Sequence, residues 1–142
     1  MAGMGRVPAW SSDFDPSPSG SSRQSILTSC NDRYSDEIWW IQQQPGFALG
    51  APSWGWLNAA YRSMALLTPE KLKRVETPVL LLGAERDRLV SAESIRWAAG
   101  LMSGAELAML PDAAHEILRE GDQVRLVALA RIDAFLDEHA GA

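Results

Sequence analysis

"TPVLLLGAERDRLVSAESIRWAAGLMSGAELAMLPDAAHEIL", residues Thr77–Leu118, decides the fold of this chain. Pro78 opens four consecutive apolar residues, Val79–Leu82. A short, fully apolar run bounded by turn residues predicts a strand buried on both faces. Ser91 then caps a helix running to Met102, with Ile95, Ala98 and Met102 on its inner side. Ser103 and Gly104 turn the chain into a second short strand, Glu106–Leu110. After it, "EGDQVRLVALARIDAFLDEH" (Glu120–His139) places Val124, Ala128, Ile132 and Phe135 at helical spacing. The order strand, helix, strand, helix predicts an α/β fold with a right-handed parallel crossover.

Two chemical residues fall where such a crossover matters. Asp87 lies just beyond the end of the first strand and His115 just beyond the second, 28 residues later. In open α/β sheets ligands bind outside the carboxyl ends of the strands. The topology therefore brings both side chains to one edge. A carboxylate beside an imidazole fixes its tautomer and stabilises the imidazolium, which is what a general base requires. A histidine after a strand is, by itself, more often a surface or capping residue. Glu85 and Asp112 are rival acids and read as solvated loop residues, and His139 as a charge at a helix end.

Upstream the texture is helical. Residues 32–45 carry Tyr34, Ile38 and Ile41 on one face, with Asp32 as cap and Pro45 as stop. From Ser53 to Leu67, Trp54, Leu57, Tyr61 and Met64 recur every three or four residues. Thr68 and Pro69 open another helical turn or two. Residues 1–25, rich in Ser, Pro and Gly, are expected to be irregular and disordered, because they bury too little apolar surface to offset ordering entropy. Three segments result: 1–25 irregular, 26–76 helical and 77–142 α/β.

Composition narrows the partners. The 142 residues carry a net charge of −5 and no Lys/Arg block, which excludes nucleic acid and anionic membrane surfaces as default partners. No stretch has the length of a signal-peptide core or a membrane span. The single cysteine, Cys30, fits a reducing compartment, so a cytoplasmic location is expected. Two histidines and one cysteine give no zinc-ligand spacing, and no metal or organic cofactor is implied.

The strand–Asp87 and strand–His115 segments resemble the C-terminal part of an α/β-hydrolase. More narrowly, they resemble the bacterial lysophospholipase branch, relatives of monoacylglycerol lipases. "LTSCNDRYSD" (Leu27–Asp36) and "ALGAPSWGWLNAAYRSM" (Ala48–Met64) are similar to that branch's cap segment, and "GMGR" near the start is weakly similar. The resemblance covers roughly residues 26–138 and makes 26–76 cap-like. It implies that Asp87 is the triad acid and His115 the triad base of a carboxylic ester hydrolase acting on a lipid or small ester. The glycine before the acid is shifted, to "GAERD" (Gly83–Asp87), which leaves the turn there undefined.

The family's nucleophile sits at a G-x-S-x-G elbow between strand and helix, and the sequence contains none. "APSWG" (Ala51–Gly55) places Ser53 in the right chain order. Yet "FALGAP" before it is no buried strand, and 34 residues to Asp87 leave too little chain for the intervening elements. A serine opening an amphipathic helix reads as an N-cap. Ser11, Ser12 and the Ser17–Ser25 cluster also lack a preceding strand. The expectation is a C-terminal fragment of a serine hydrolase, holding acid and base without nucleophile or oxyanion hole, and inactive alone. Two alternatives stay open. One is a non-catalytic binding or interaction module. The other is different chemistry on the same fold, as in peptidases, dehalogenases or epoxide hydrolases.

Two further expectations concern surfaces. With only two strands, an unpaired apolar edge should make the isolated chain marginally stable and prone to self-associate. Of the six tryptophans, Trp39, Trp40, Trp54 and Trp56 fall near Phe47 in the cap-like segment. Most are expected to form the cap's own core, Trp54 among them. Trp56, off the stripe, is expected to face substrate.

Overall fold

The computed structural model describes residues 4–10 and 22–139. Its centre is a parallel pair, β1 (Val79–Ala84) and β2 (Ala105–Leu110), in register from Val79 opposite Ala105 to Ala84 opposite Leu110. The described helices, in chain order, are α1 (Ser22–Leu27), α2 (Asn31–Gln43), α3 (Trp54–Met64), α4 (Pro69–Leu72), α5 (Ala92–Leu101) and α6 (Asp122–His139). The connection from β1 to β2 runs through α5, and α5 and α6 both pack on the strand pair.

Local chemistry explains most boundaries. Ser91 caps α5, its hydroxyl oxygen accepting from the Ser94 N–H at 3.1 Å. Ser53 caps α3 in the same way, accepting from the Trp56 N–H at 3.2 Å. Val124, Ala128, Ile132 and Phe135 form the inward stripe of α6, with Ala128 fully buried. The core gathers at the carboxyl ends of the strands: Ala84, Leu110, Ala113 and Ala128, flanked by Leu82, Ile117 and Val124. Small residues dominate there because two loops and a helix converge at close range.

Several expectations need correction. The helix expected from Asp32 begins at Asn31, with Cys30 as its cap residue. It ends at Gln43 because a residue before proline is driven out of the helical region, and Pro45 starts a separate 3-10 turn. The stretch expected to be irregular already contains a 3-10 turn at Met4–Arg6, and α1 begins at Ser22. Tertiary contacts stabilise α1: Gln24 is buried against Asn31, and the Leu27 carbonyl accepts from the Glu116 N–H at 2.8 Å. Residues 1–3 and 11–21 of that stretch lie outside the described residues.

β1 is not buried on both faces. Val79–Leu82 are only half-buried and Leu107 of β2 is exposed, since the described pair has no flanking strands and α5 and α6 cover it only in part. The apolar stripe of α3 is also uncovered. Trp54 is 48% exposed rather than packed, Tyr61 and Met64 are exposed too, and so are Trp39 and Trp40. The main neighbour of α3 is the N-terminal segment. There the Trp54 N–H donates to the Val7 carbonyl at 3.1 Å and the Ala9 N–H to the Pro52 carbonyl at 2.8 Å. Gly55 permits this approach, because a Cβ on it would stand 2.5 Å from the Gly5 carbonyl oxygen.

Candidate active site

The strand ladder continues past the strand ends and fixes both chemical loops. The Glu85 N–H donates to the Leu110 carbonyl at 3.0 Å, and the Arg86 N–H to the Ala113 carbonyl at 3.0 Å. The loop bearing Asp87 is thus stitched to the loop bearing His115. Asp87 then folds its own turn. One carboxylate oxygen, Oδ1, accepts from the Leu89 N–H at 2.8 Å and the Val90 N–H at 2.9 Å. The other, Oδ2, lies 2.9 Å from His115 Nδ1.

Burial differs across this pair. The Asp87 side chain is 6% exposed and that of His115 33%. Burial opposes ionisation of Asp87, but the Val90 N–H, the His115 ring and the Leu89 N–H together outweigh it. The carboxyl is held below its ordinary range. An ionised Asp87 selects the tautomer with the proton on Nδ1, which leaves Nε2 as the free acceptor. That is the arrangement of an imidazole ready to receive a proton.

His115 lines a groove of about 640 Å³. Its apolar lining is Ile26, Leu27, Phe47, Leu49 and Leu89, and its polar lining includes Arg23, Glu37 and Glu116. Arg23 grips Glu37 through its two terminal guanidinium nitrogens, Nη1 and Nη2, at 3.1 and 3.0 Å. Arg119 joins Glu37 at 3.2 Å and Glu116 at 2.6 Å. Burial opposes ionisation of Glu37, yet the two arginines win and lower its carboxyl below the ordinary range. Tyr34, 1% exposed, lies beneath the Arg23 and Arg119 guanidinium groups at 5.8 and 6.0 Å from its ring centroid.

Other residues singled out by the sequence fall elsewhere. Trp56 is 62% exposed and does not line the groove; Phe47 and Leu49 do. Ser53 is engaged as a helix cap and is absent from the groove lining. Glu85 pairs with Arg96 and Asp112 with Arg86, both at the surface. His139 Nε2 reaches Glu106 on β2 at 3.5 Å. Among the described residues, the grouping with metal-ligand chemistry is Glu106, Glu138 and His139, all exposed and none in the groove lining.

Some residues at the site had no sequence signal. Arg23 sits in the stretch that reads as irregular. Glu120, at the start of the stretch that reads as the closing helix, is completely buried.

A parallel strand pair with an Asp–His couple at its carboxyl end, beside a helical segment and a groove, matches part of an α/β-hydrolase fold. Comparison with known proteins makes this specific. The family model described as serine aminopeptidase, S33, matches residues 7–122, and the chain belongs to this family, in its lysophospholipase-like branch. It is 31% identical over 125 residues to lysophospholipase L2 of Escherichia coli (strain K12), covering 80% of this chain and 35% of that protein. It is 28% identical over 115 residues to a probable lysophospholipase L2 of Haemophilus influenzae, covering 78% of this chain and 35% of that protein. The chain therefore spans about a third of the length of these relatives. Among solved structures, a soluble variant of monoglyceride lipase from Saccharomyces cerevisiae, in complex with a substrate analog, shares the fold. The TM-score is 0.64 at 16% identity, over 86% of this chain and 43% of that one.

Proposed function

We propose that this chain supplies the acid and base of a carboxylic ester hydrolase of the lysophospholipase or monoacylglycerol-lipase type. The observation that carries the reading is the 2.9 Å bond from His115 Nδ1 to an Asp87 carboxylate whose other oxygen is held by two backbone N–H groups. Asp87 orients the ring. His115 takes the nucleophile's proton on Nε2, then returns it to the leaving alcohol. The sequence has no G-x-S-x-G, so the nucleophile and the oxyanion donors beside it come from residues outside this sequence, and the chain alone is inactive. Residues 26–76 act as cap and 77–142 as core. The substrate is a lipid or small ester, in keeping with the apolar lining of the groove and with the names of the relatives.

The test is labelling of the purified chain with a fluorophosphonate probe, beside a Ser53→Ala variant. No Ser53-dependent labelling is expected. Labelling that disappears in the variant would make Ser53 the nucleophile and overturn the reading that acid and base stand here without it.

A second reading is favoured by the uncovered α3 stripe and the exposed Leu107. A chain with these surfaces serves as an interaction module and self-associates through its open sheet edge. Sedimentation showing a monodisperse monomer with a cooperative melt would exclude self-association, and a stable hetero-complex would favour the interaction module.

A further inference from the structure

Glu120 is 0% exposed, and among the described residues it forms no ion pair. A buried carboxylate is costly unless donors converge on it, and here they converge from the nearby Ala114 and from the distant residues 28 and 29. Oε1 accepts from the Ala114 N–H at 2.7 Å. Oε2 accepts from the Ser29 hydroxyl at 2.6 Å, and the Ser29 N–H lies 3.1 and 3.2 Å from the two oxygens. Thr28 Oγ1 stands 3.2 Å from Oε2 and 2.9 Å from the Arg119 carbonyl oxygen, its single proton serving one of them.

The position of these donors gives the carboxylate a further part. Ala114 directly precedes His115. The next two N–H groups along, those of His115 and Glu116, donate to the carbonyls of Ile26 and Leu27 at 3.5 and 2.8 Å. Three consecutive residues of the histidine loop are therefore tied to residues 26–29, the first of them through Glu120. The His115 N–H bond is the long one, so it constrains the loop least. The bonds on either side set where the ring sits.

We infer that Glu120 is a positioning residue, clamping Ala114 to Ser29 so that His115 Nδ1 remains on Asp87. This rests on the acid–base reading above. Glu120 touches neither substrate nor the reacting atoms; it acts through the loop.

The experiment is proton NMR of the folded chain, following the low-field Nδ1–H resonance of His115, in the parent and in Glu120→Gln. Glutamine keeps the size but turns one acceptor into a donor facing other donors. The resonance is expected to be lost in Glu120→Gln, and the Asp87 carboxyl to titrate closer to its ordinary range. Leu72→Ala, which truncates the one buried side chain of the otherwise exposed α4 and lies outside the groove, is the control for destabilisation and should leave the resonance in place. A folded Glu120→Gln that retains the parent resonance overturns the inference and leaves the acid–base reading standing. Absence of the resonance in the parent overturns both. If Glu120→Gln does not fold, Ser29→Ala decides, since it removes one donor only: a broadened resonance supports the clamp and an unchanged one overturns it.

Discussion

The loops at the carboxyl ends of β1 and β2 and the face of α3 make opposite use of similar sequence signals. Both begin from a recognisable pattern, a strand end with one chemical residue or an amphipathic helix with a serine cap. At the strand ends, every feature is cross-braced. The two loops share ladder bonds, Asp87 is held by three partners, and Glu120 ties the histidine loop to residues 28 and 29. On α3, the cap forms as local chemistry dictates, but Trp54, Tyr61 and Met64 remain uncovered. Local preference builds an element in either place. Only contact with a second element gives its side chains a fixed surrounding.

This contrast predicts a graded response to mutation. Leu110→Ala, in the core beneath both loops, should cost about 2–5 kcal/mol in urea unfolding, from lost burial plus a cavity. A loss below about 1 kcal/mol would mean that the strand ends are as loosely packed as α3. Asp87→Asn should cost less, about 1–3 kcal/mol, because a partnered buried acceptor is replaced by one with mismatched donors. The same variant should abolish any activity that depends on the His115 tautomer. Retained low-field Nδ1–H signal in it would break the assignment of that bond.

Acid should act on the braced region. Asp87 and Glu37 both have carboxyls held below the ordinary range in the folded protein. A depressed carboxyl contributes stability that is fully present above its unfolded pKa. That contribution is lost as pH falls through the folded value. Urea midpoints should therefore hold from neutrality to about pH 5 and then decline with acidification. A midpoint that rises on acidification from pH 5 would contradict the sign.

The smallest effects belong to α3. Ser53→Ala should cost about 1 kcal/mol by loss of the cap, read as reduced helicity and a lower urea midpoint. Trp54→Ala should stay within about 0.5 kcal/mol, since that side chain is half-exposed. A loss above about 2 kcal/mol on Trp54→Ala would show that the face is covered in solution, most simply by a second copy, and would erase the contrast.

Legibility in the sequence followed the range of the interactions. The apolar run Val79–Leu82, the Ser91 and Ser53 caps and the stripe of α6 are all set by spacings of a few residues, and the structure carries each of them. The approach of Asp87 to His115 was also readable, because a parallel crossover forces two strand ends to one edge. Burial was read less well. The stripe predicts Trp54 inside and it lies half outside, since a helical stripe says that one side is apolar and not that anything covers it. Arg23 and Glu37 are 14 residues apart with no shared motif, and only the packing of α1 beside α2 makes them a pair.

By itself, then, the sequence determined the elements, their order and the meeting of Asp87 and His115 at one sheet edge, because propensity, capping and strand connectivity act over short stretches of chain. The tertiary structure alone decided which residues surround His115 and which carboxylate lies beneath its loop. Glu120 and Ser29 stand 91 residues apart. Nothing local distinguishes a glutamate that will be enclosed by converging N–H and O–H groups from one that will meet water. Its role exists only once two distant backbones close around it.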